Sequence, residues 1–108
     1  FNKYLQQQNI TLIINVIPKD IQFDIAFQKK TLEILNLNKN DVDFQKINKL
    51  LKSLASEERI MLIDTTDYIS SNNFTNYYFT LDEHWNQGGH KLASELLVNK
   101  IVEVKMNE

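Results

Sequence analysis

Two short runs of branched aliphatic residues interrupt a chain whose apolar positions otherwise recur at helical spacing. Ile10-Thr11-Leu12-Ile13-Ile14-Asn15-Val16-Ile17 is almost continuously apolar and stops at Pro18, the single proline. Ile60-Met61-Leu62-Ile63 is the second run. Runs of this kind predict strands buried on both faces, as in a parallel sheet covered by helices. Proline has no N–H for a ladder, so Pro18 marks where the first strand leaves the sheet. Asn15 within that strand reads as a satisfied interior amide or an edge position, against the rarer alternative of a functional side chain facing a cleft.

Between and around these strands the spacing is helical. Phe1 to Gln8 reads as the end of a helix. Asp20 to Leu35 carries Ile21, Ile25, Leu32 and Leu35 at helix-compatible intervals. Asn36 to Asp41 is polar and turn-like, with Asp41 a candidate cap for the next helix. Phe44, Ile47, Leu50, Leu51 and Leu54 form the clearest apolar stripe, with Lys46, Lys49 and Lys52 mostly on the opposite, solvated face. Glu57-Glu58-Arg59 closes that helix. Asp64 follows the second strand, where open α/β sheets place ligands, but capping the short helix begun by Thr65-Thr66-Asp67 is its expected role. Ser70 to Asn76 is a polar loop. Leu92, Ala93, Leu96, Leu97, Ile101 and Val104 are the expected inner face of a closing helix.

Strand, helix, strand, helix in this order implies an α/β fold with parallel crossovers. At 108 residues there is room for one small domain. A net charge of −2 gives no electrostatic footprint for nucleic acid. No apolar run approaches membrane-spanning length. The absence of cysteine removes disulfides and thiol catalysis. Two strands make a thin sheet for an independent fold, so the chain reads as part of a longer domain with further strands upstream.

The specialised residues gather in one place. Tyr77-Tyr78-Phe79-Thr80-Leu81-Asp82-Glu83-His84-Trp85-Asn86-Gln87-Gly88-Gly89-His90 holds both histidines, the only tryptophan and both glycines. In extended backbone, residues i and i+2 share a face. The Asp82 carboxylate can then accept from one nitrogen of His84 and fix its tautomer, leaving the other nitrogen as a general base. Asn86 can cap a helix starting at Gln87, and the glycines permit close approach of backbone or ligand.

The block Asp82-x-His84-Trp85-Asn86-x-x-Gly89-His90 resembles the last signature block of the SGNH (GDSL-type) hydrolase superfamily, in particular the branch of alginate and other polysaccharide O-acetyltransferases. Looser similarity runs back to about Asn9, through the proline-terminated strand Leu12 to Pro18 and the strand ending Ile63-Asp64. The resemblance implies that residues 1–108 are the C-terminal half of one SGNH-like, flavodoxin-like three-layer sandwich with a parallel sheet. It implies Asp82 and His84 as the Asp-His pair of a Ser-His-Asp triad, with Trp85 an apolar wall beside the histidine. Asn86 and His90 have supporting or substrate-binding roles, His90 by hydrogen bonding the signature loop. The expected ligand is an acylated carbohydrate or other small ester, with no organic cofactor or metal, and the compartment leans towards periplasmic or extracellular. Partners expected at the open sheet edge are the upstream part of the domain or a second copy.

Ser53, Ser56, Ser70, Ser71 and Ser94 lie in no Gly-Asp-Ser context. The nucleophile block and the oxyanion donors of the resembled family would lie upstream of Phe1, so the chain holds half of an active site. Two other readings stand beside this one. Asp82, His84 and His90 together supply a donor set used for catalytic zinc, although not at a familiar spacing. A non-catalytic carbohydrate-binding domain would instead stack a sugar on Tyr77, Tyr78, Phe79 and Trp85.

Overall fold

The computed structural model describes residues 1–108 as a mixed α/β chain with four helices and a two-stranded parallel sheet. Helix α1 (Asn2–Gln7) leads into β1 (Ile13–Val16), a 3-10 turn (Asp20–Gln22) and α2 (Ile25–Leu35). A second 3-10 turn (Lys39–Asp41) precedes α3 (Lys46–Glu57) and β2 (Met61–Asp64). Two further 3-10 turns (Thr65–Tyr68 and Phe74–Asn76) lead to α4 (Gln87–Met106). Ile13 lies opposite Met61 and Val16 opposite Asp64. Parallel pairing needs a long crossover, and the segment carrying α2 and α3 provides it. No helix is long and apolar enough to cross a membrane.

Local chemistry sets most boundaries. Asp24 caps α2 by accepting from the Phe27 amide at 3.0 Å, and Asn36 ends it in the left-handed conformation at φ 52°. Asp64 accepts from the Thr66 amide at 3.0 Å and so caps the turn after β2, as expected. Asp41 does not cap α3. It reaches back to the Asn38 amide at 3.1 Å, while Asp43 accepts from the Gln45 amide at the entry to α3. The first strand is shorter than its apolar run, because the chain turns at Asn9 (φ 56°) and pairing begins only at Ile13.

Helix α3 is rotated by roughly a quarter turn from its apolar stripe, keeping Leu51 and the preceding Phe44 half-buried and exposing the rest. Its buried residues are Asn48 and Ala55, whereas Ile47 (65% exposed), Leu50 and Leu54 are exposed. The cause is a polar partner under the helix. Asn48 Nδ2 donates to both carboxylate oxygens of buried Asp64 (3.0 and 3.2 Å) and to the Thr66 hydroxyl (2.6 Å). Its Oδ1 accepts from Gln22 Nε2 at 2.7 Å. Lys52 adds an ion pair to Asp64 at 3.4 Å. Burial pushes the Asp64 carboxyl up, but hydrogen bonds from the Thr66 hydroxyl and amide, then from Asn48, together with the Lys52 charge, outweigh it and hold the group below the usual carboxylate range. A similar correction applies to α4, where Leu92, Ala93, Leu96, Lys100 and Val104 form the half-buried face. Leu97 and Ile101 are exposed. In α2, Ile25 and Leu35 are likewise exposed.

Asn15 is half-buried and its side-chain oxygen accepts from the fully buried Thr65 hydroxyl at 3.0 Å. That fits the interior-amide reading. The molecule is a slab with extents of 49 × 30 × 17 Å and a radius of gyration of 16.5 Å. A compact domain of this length has a radius near about 13 Å. The main apolar cluster is small, formed by Phe23, Ile69, Tyr78 and Trp85 with Phe74, Tyr77, Leu92 and Ala93 against them. All of these residues follow the C-terminal ends of the two strands.

Candidate active site

The signature stretch folds as a narrow hairpin rooted in that core. Tyr78 and Trp85 form an antiparallel bridge. The Asn86 amide donates to Tyr77 O at 2.9 Å, and the Phe79 amide donates to His84 O at 3.1 Å. Asn86 joins hairpin to helix: its side-chain oxygen accepts from the Gly89 amide at 3.1 Å, and its Nδ2 donates to Tyr78 O at 3.2 Å. The cap predicted for Asn86 is therefore present. The glycines serve backbone approach. A Cβ on Gly88 would stand 2.4 Å from Asn76 O, and one on Gly89 would stand 2.5 Å from Tyr77 O and 2.7 Å from Trp85 Cγ.

The two anchoring rings are buried. Tyr78 and Trp85 meet edge-on with centroids 6.3 Å apart, and Phe23 packs on Tyr78 at 6.4 Å. Trp85 Nε1 is buried without a hydrogen-bond partner. The Tyr78 hydroxyl donates to Pro18 O at 2.6 Å. Burial pushes this phenol up to about 12, and the Asp20 carboxylate adds to the rise. A sugar platform made of Tyr77, Tyr78, Phe79 and Trp85 is not what the chain presents, since only Phe79 of the four is exposed.

Beyond the bridge, Phe79 to His84 form a wholly exposed loop. Leu81 turns it through a left-handed conformation at φ 60°. Asp82 and His84 are brought together, by a different route from extended backbone. One oxygen, Asp82 Oδ1, accepts from the His84 amide at 3.0 Å and also pairs with His84 Nδ1. The loop is an Asx-type turn closed on the imidazole. The side-chain and backbone bonds to His84 hold the Asp82 carboxyl below its usual range. With Nδ1 engaged, Nε2 is the nitrogen left to take or give a proton, and the ring is 85% exposed.

His84 lines a cleft of about 280 Å³ with Ile17, Pro18, Lys19, Glu83, Trp85 and His90. His90 is on the exposed side of the first turn of α4, edge-on to Trp85 with centroids 6.1 Å apart. It makes no side-chain hydrogen bond, so it does not brace the loop in the way expected. Trp85 serves as core anchor and cleft wall at once. No three histidine, cysteine, aspartate or glutamate side chains come together as a metal site, so Asp82, His84 and His90 do not converge. No serine lines the cleft. Ser94, beside His90 in a neighbouring hollow, donates its hydroxyl to Lys91 O at 2.8 Å. Lys19 and Glu83 were not singled out by sequence pattern. The signal for Lys19 was its position just past the C-terminal end of a strand, where α/β folds collect site residues.

No family model, curated protein or solved structure matches the chain.

Proposed function

We propose that this chain supplies the base and its orienting carboxylate to an SGNH-like acyl-ester hydrolase or O-acetyltransferase acting on carbohydrate. The nucleophilic serine and the oxyanion donors come from polypeptide outside it. The observation that carries this reading is the pairing of His84 Nδ1 with Asp82 on an exposed loop beside a cleft. In such a reaction the serine hydroxyl attacks the ester carbonyl while His84 Nε2 takes its proton. The protonated imidazole then gives that proton to the leaving oxygen. Asp82 fixes the tautomer throughout and stabilises the imidazolium. Water or a carbohydrate hydroxyl, deprotonated by the same nitrogen, releases the acyl group.

The open surfaces support the idea of a larger domain. Ile47, Leu50 and Leu54 on α3 and Val98, Ile101 and Val102 on α4 are exposed. The two-stranded sheet leaves an outer edge free on each strand. Strands and helices of the remaining SGNH-like sandwich would cover both. The test is turnover of a small acetyl ester and of an acetylated carbohydrate by the natural protein that contains this chain. His84→Ala should remove most of the rate, by at least the roughly 10²–10⁴-fold of general-base catalysis. The 108-residue chain alone should give no turnover above background. Turnover that survives His84→Ala would overturn the proposal.

A further inference from the structure

The loop carrying Asp82 and His84 has little to hold it in place. Its hydrogen bonds run among its own residues: Phe79 N to His84 O, Asp82 N to Phe79 O, and the two bonds from His84 to Asp82. One side-chain hydrogen bond leaves it. The Glu83 carboxylate pairs with the ammonium of Lys19, 64 residues away. Lys19 directly follows Pro18, whose carbonyl receives the Tyr78 hydroxyl. The pair and the clamp therefore reach the same point at the end of β1. Glu83 is the dominant influence on Lys19, raising its pKa through the hydrogen bond first and the charge second.

Where Glu83 stands makes this contact matter. It lies in sequence between the two members of the proposed pair and forms part of the wall of the His84 cleft. It also borders a groove of about 570 Å³ with Leu81, Phe27 and Ile34. A free carboxylate at this position would compete with Asp82 for the imidazole, since the neutral ring carries one N–H and Glu83 would draw it to Nε2 where Asp82 holds it at Nδ1. We propose that Lys19 is a positioning residue for the base: by holding Glu83 it fastens loop 79–84 to the end of β1 and leaves His84 to Asp82 alone. The catalytic part of this inference rests on the role proposed for His84; the structural part does not.

An exposed ion pair contributes little to global stability and is screened by salt. Local order is a different quantity, and a loop with one external tether depends on it. The experiment compares Lys19→Met, Glu83→Gln and the exchanged pair Lys19→Glu/Glu83→Lys in the full chain. The readouts are amide hydrogen exchange at Phe79 and His84, and the imidazole nitrogen signals of His84 that report its tautomer. In Lys19→Met, protection at both amides should fall by about twofold to fivefold, the range of an exposed pair, with an unchanged thermal midpoint. The imidazole signals should show a mixed tautomer. Glu83→Gln should lose the same protection but keep the Asp82-bound tautomer, because the competitor is gone. The exchanged pair should restore protection.

In the natural protein containing this chain, Lys19→Met should lower kcat by a similar factor with KM little changed. Unchanged exchange and unchanged imidazole signals in Lys19→Met would overturn the inference, as would failure of the exchanged pair to restore protection. If those signals respond as expected while ester turnover ignores His84→Ala, the positioning role stands and the proposed reaction falls.

Discussion

The Tyr78 hydroxyl and the Pro18 carbonyl oxygen, 2.6 Å apart across 60 residues of sequence, tie the signature hairpin to the end of β1. This buried bond has a pH signature. The folded phenol titrates at about 12, above its ordinary value near 10. A raised folded pKa gives stability that is complete below the unfolded value and is lost as pH rises through the folded one. Thermal midpoints should therefore decline between about pH 10 and pH 12. Tyr78→Phe should lower stability at neutral pH by about 1 kcal/mol and flatten that alkaline decline. Melting curves of both proteins across this range, with phenolate absorbance, check it; an equal alkaline slope in the variant would refute the assignment.

Gly89→Ala should be among the more damaging single-atom additions in the chain. The new Cβ would meet the Tyr77 carbonyl and the Trp85 side chain, not open space. Neither neighbour is the far end of a flexible side chain, so backbone must move. A loss of about 1–3 kcal/mol is expected, measured by urea unfolding. Both glycines have negative φ, so the cost is one of space and not of conformation.

Asn48→Ala should cost about 1–3 kcal/mol, because it takes a donor from both oxygens of the buried Asp64 carboxylate. The same network sets the acid limb. Asp64 titrates below its ordinary value in the fold, so its contribution is complete above the usual carboxylate pKa and is lost as pH falls through the lowered value. In Asn48→Ala the folded value moves back towards the ordinary one, so that this acid-dependent loss should be smaller and complete at higher pH. Acid titrations followed by circular dichroism separate the two proteins.

The two histidines should respond differently to removal. His90→Asn should change stability by less than about 0.5 kcal/mol, since the exposed ring makes no side-chain hydrogen bond. Under the proposed reaction, His84→Asn should abolish most ester turnover, whereas His90→Asn should leave the larger part. Rates and thermal midpoints measured side by side decide this. Turnover lost on His90→Asn but kept on His84→Asn would reverse the roles.

Much of the fold could be read from residue order. Both strands, their parallel pairing, the Asp64 and Asn86 caps and the meeting of Asp82 with His84 all come from local rules of spacing and side-chain reach. Orientation could not be read in the same way. Hydrophobicity placed Ile47, Leu50 and Leu54 inside, but α3 turns on Asn48 towards a buried aspartate that lies 16 residues further on. Lys100 similarly takes an inner place on α4, half-buried and paired with Glu103 at 2.9 Å. In both helices a polar partner or a long aliphatic stem chose the face, and neither is visible in a periodicity. Around the site, the missed residues were Lys19 and Glu83. Their pairing crosses 64 residues, and no local pattern announces it.

The bridge between Tyr78 and Trp85 also bears on how this chain can evolve. It separates a core that must be conserved in shape from a loop, residues 79–84, that adds nothing to that core. Mutations at Phe79 and Thr80 thus carry almost no folding penalty, whereas Leu81, held at φ 60°, tolerates β-branched residues and proline poorly. The outer surface of the loop can therefore change without cost to the core beneath it. A library randomised at Phe79 and Thr80 should retain the parental thermal midpoint in most members.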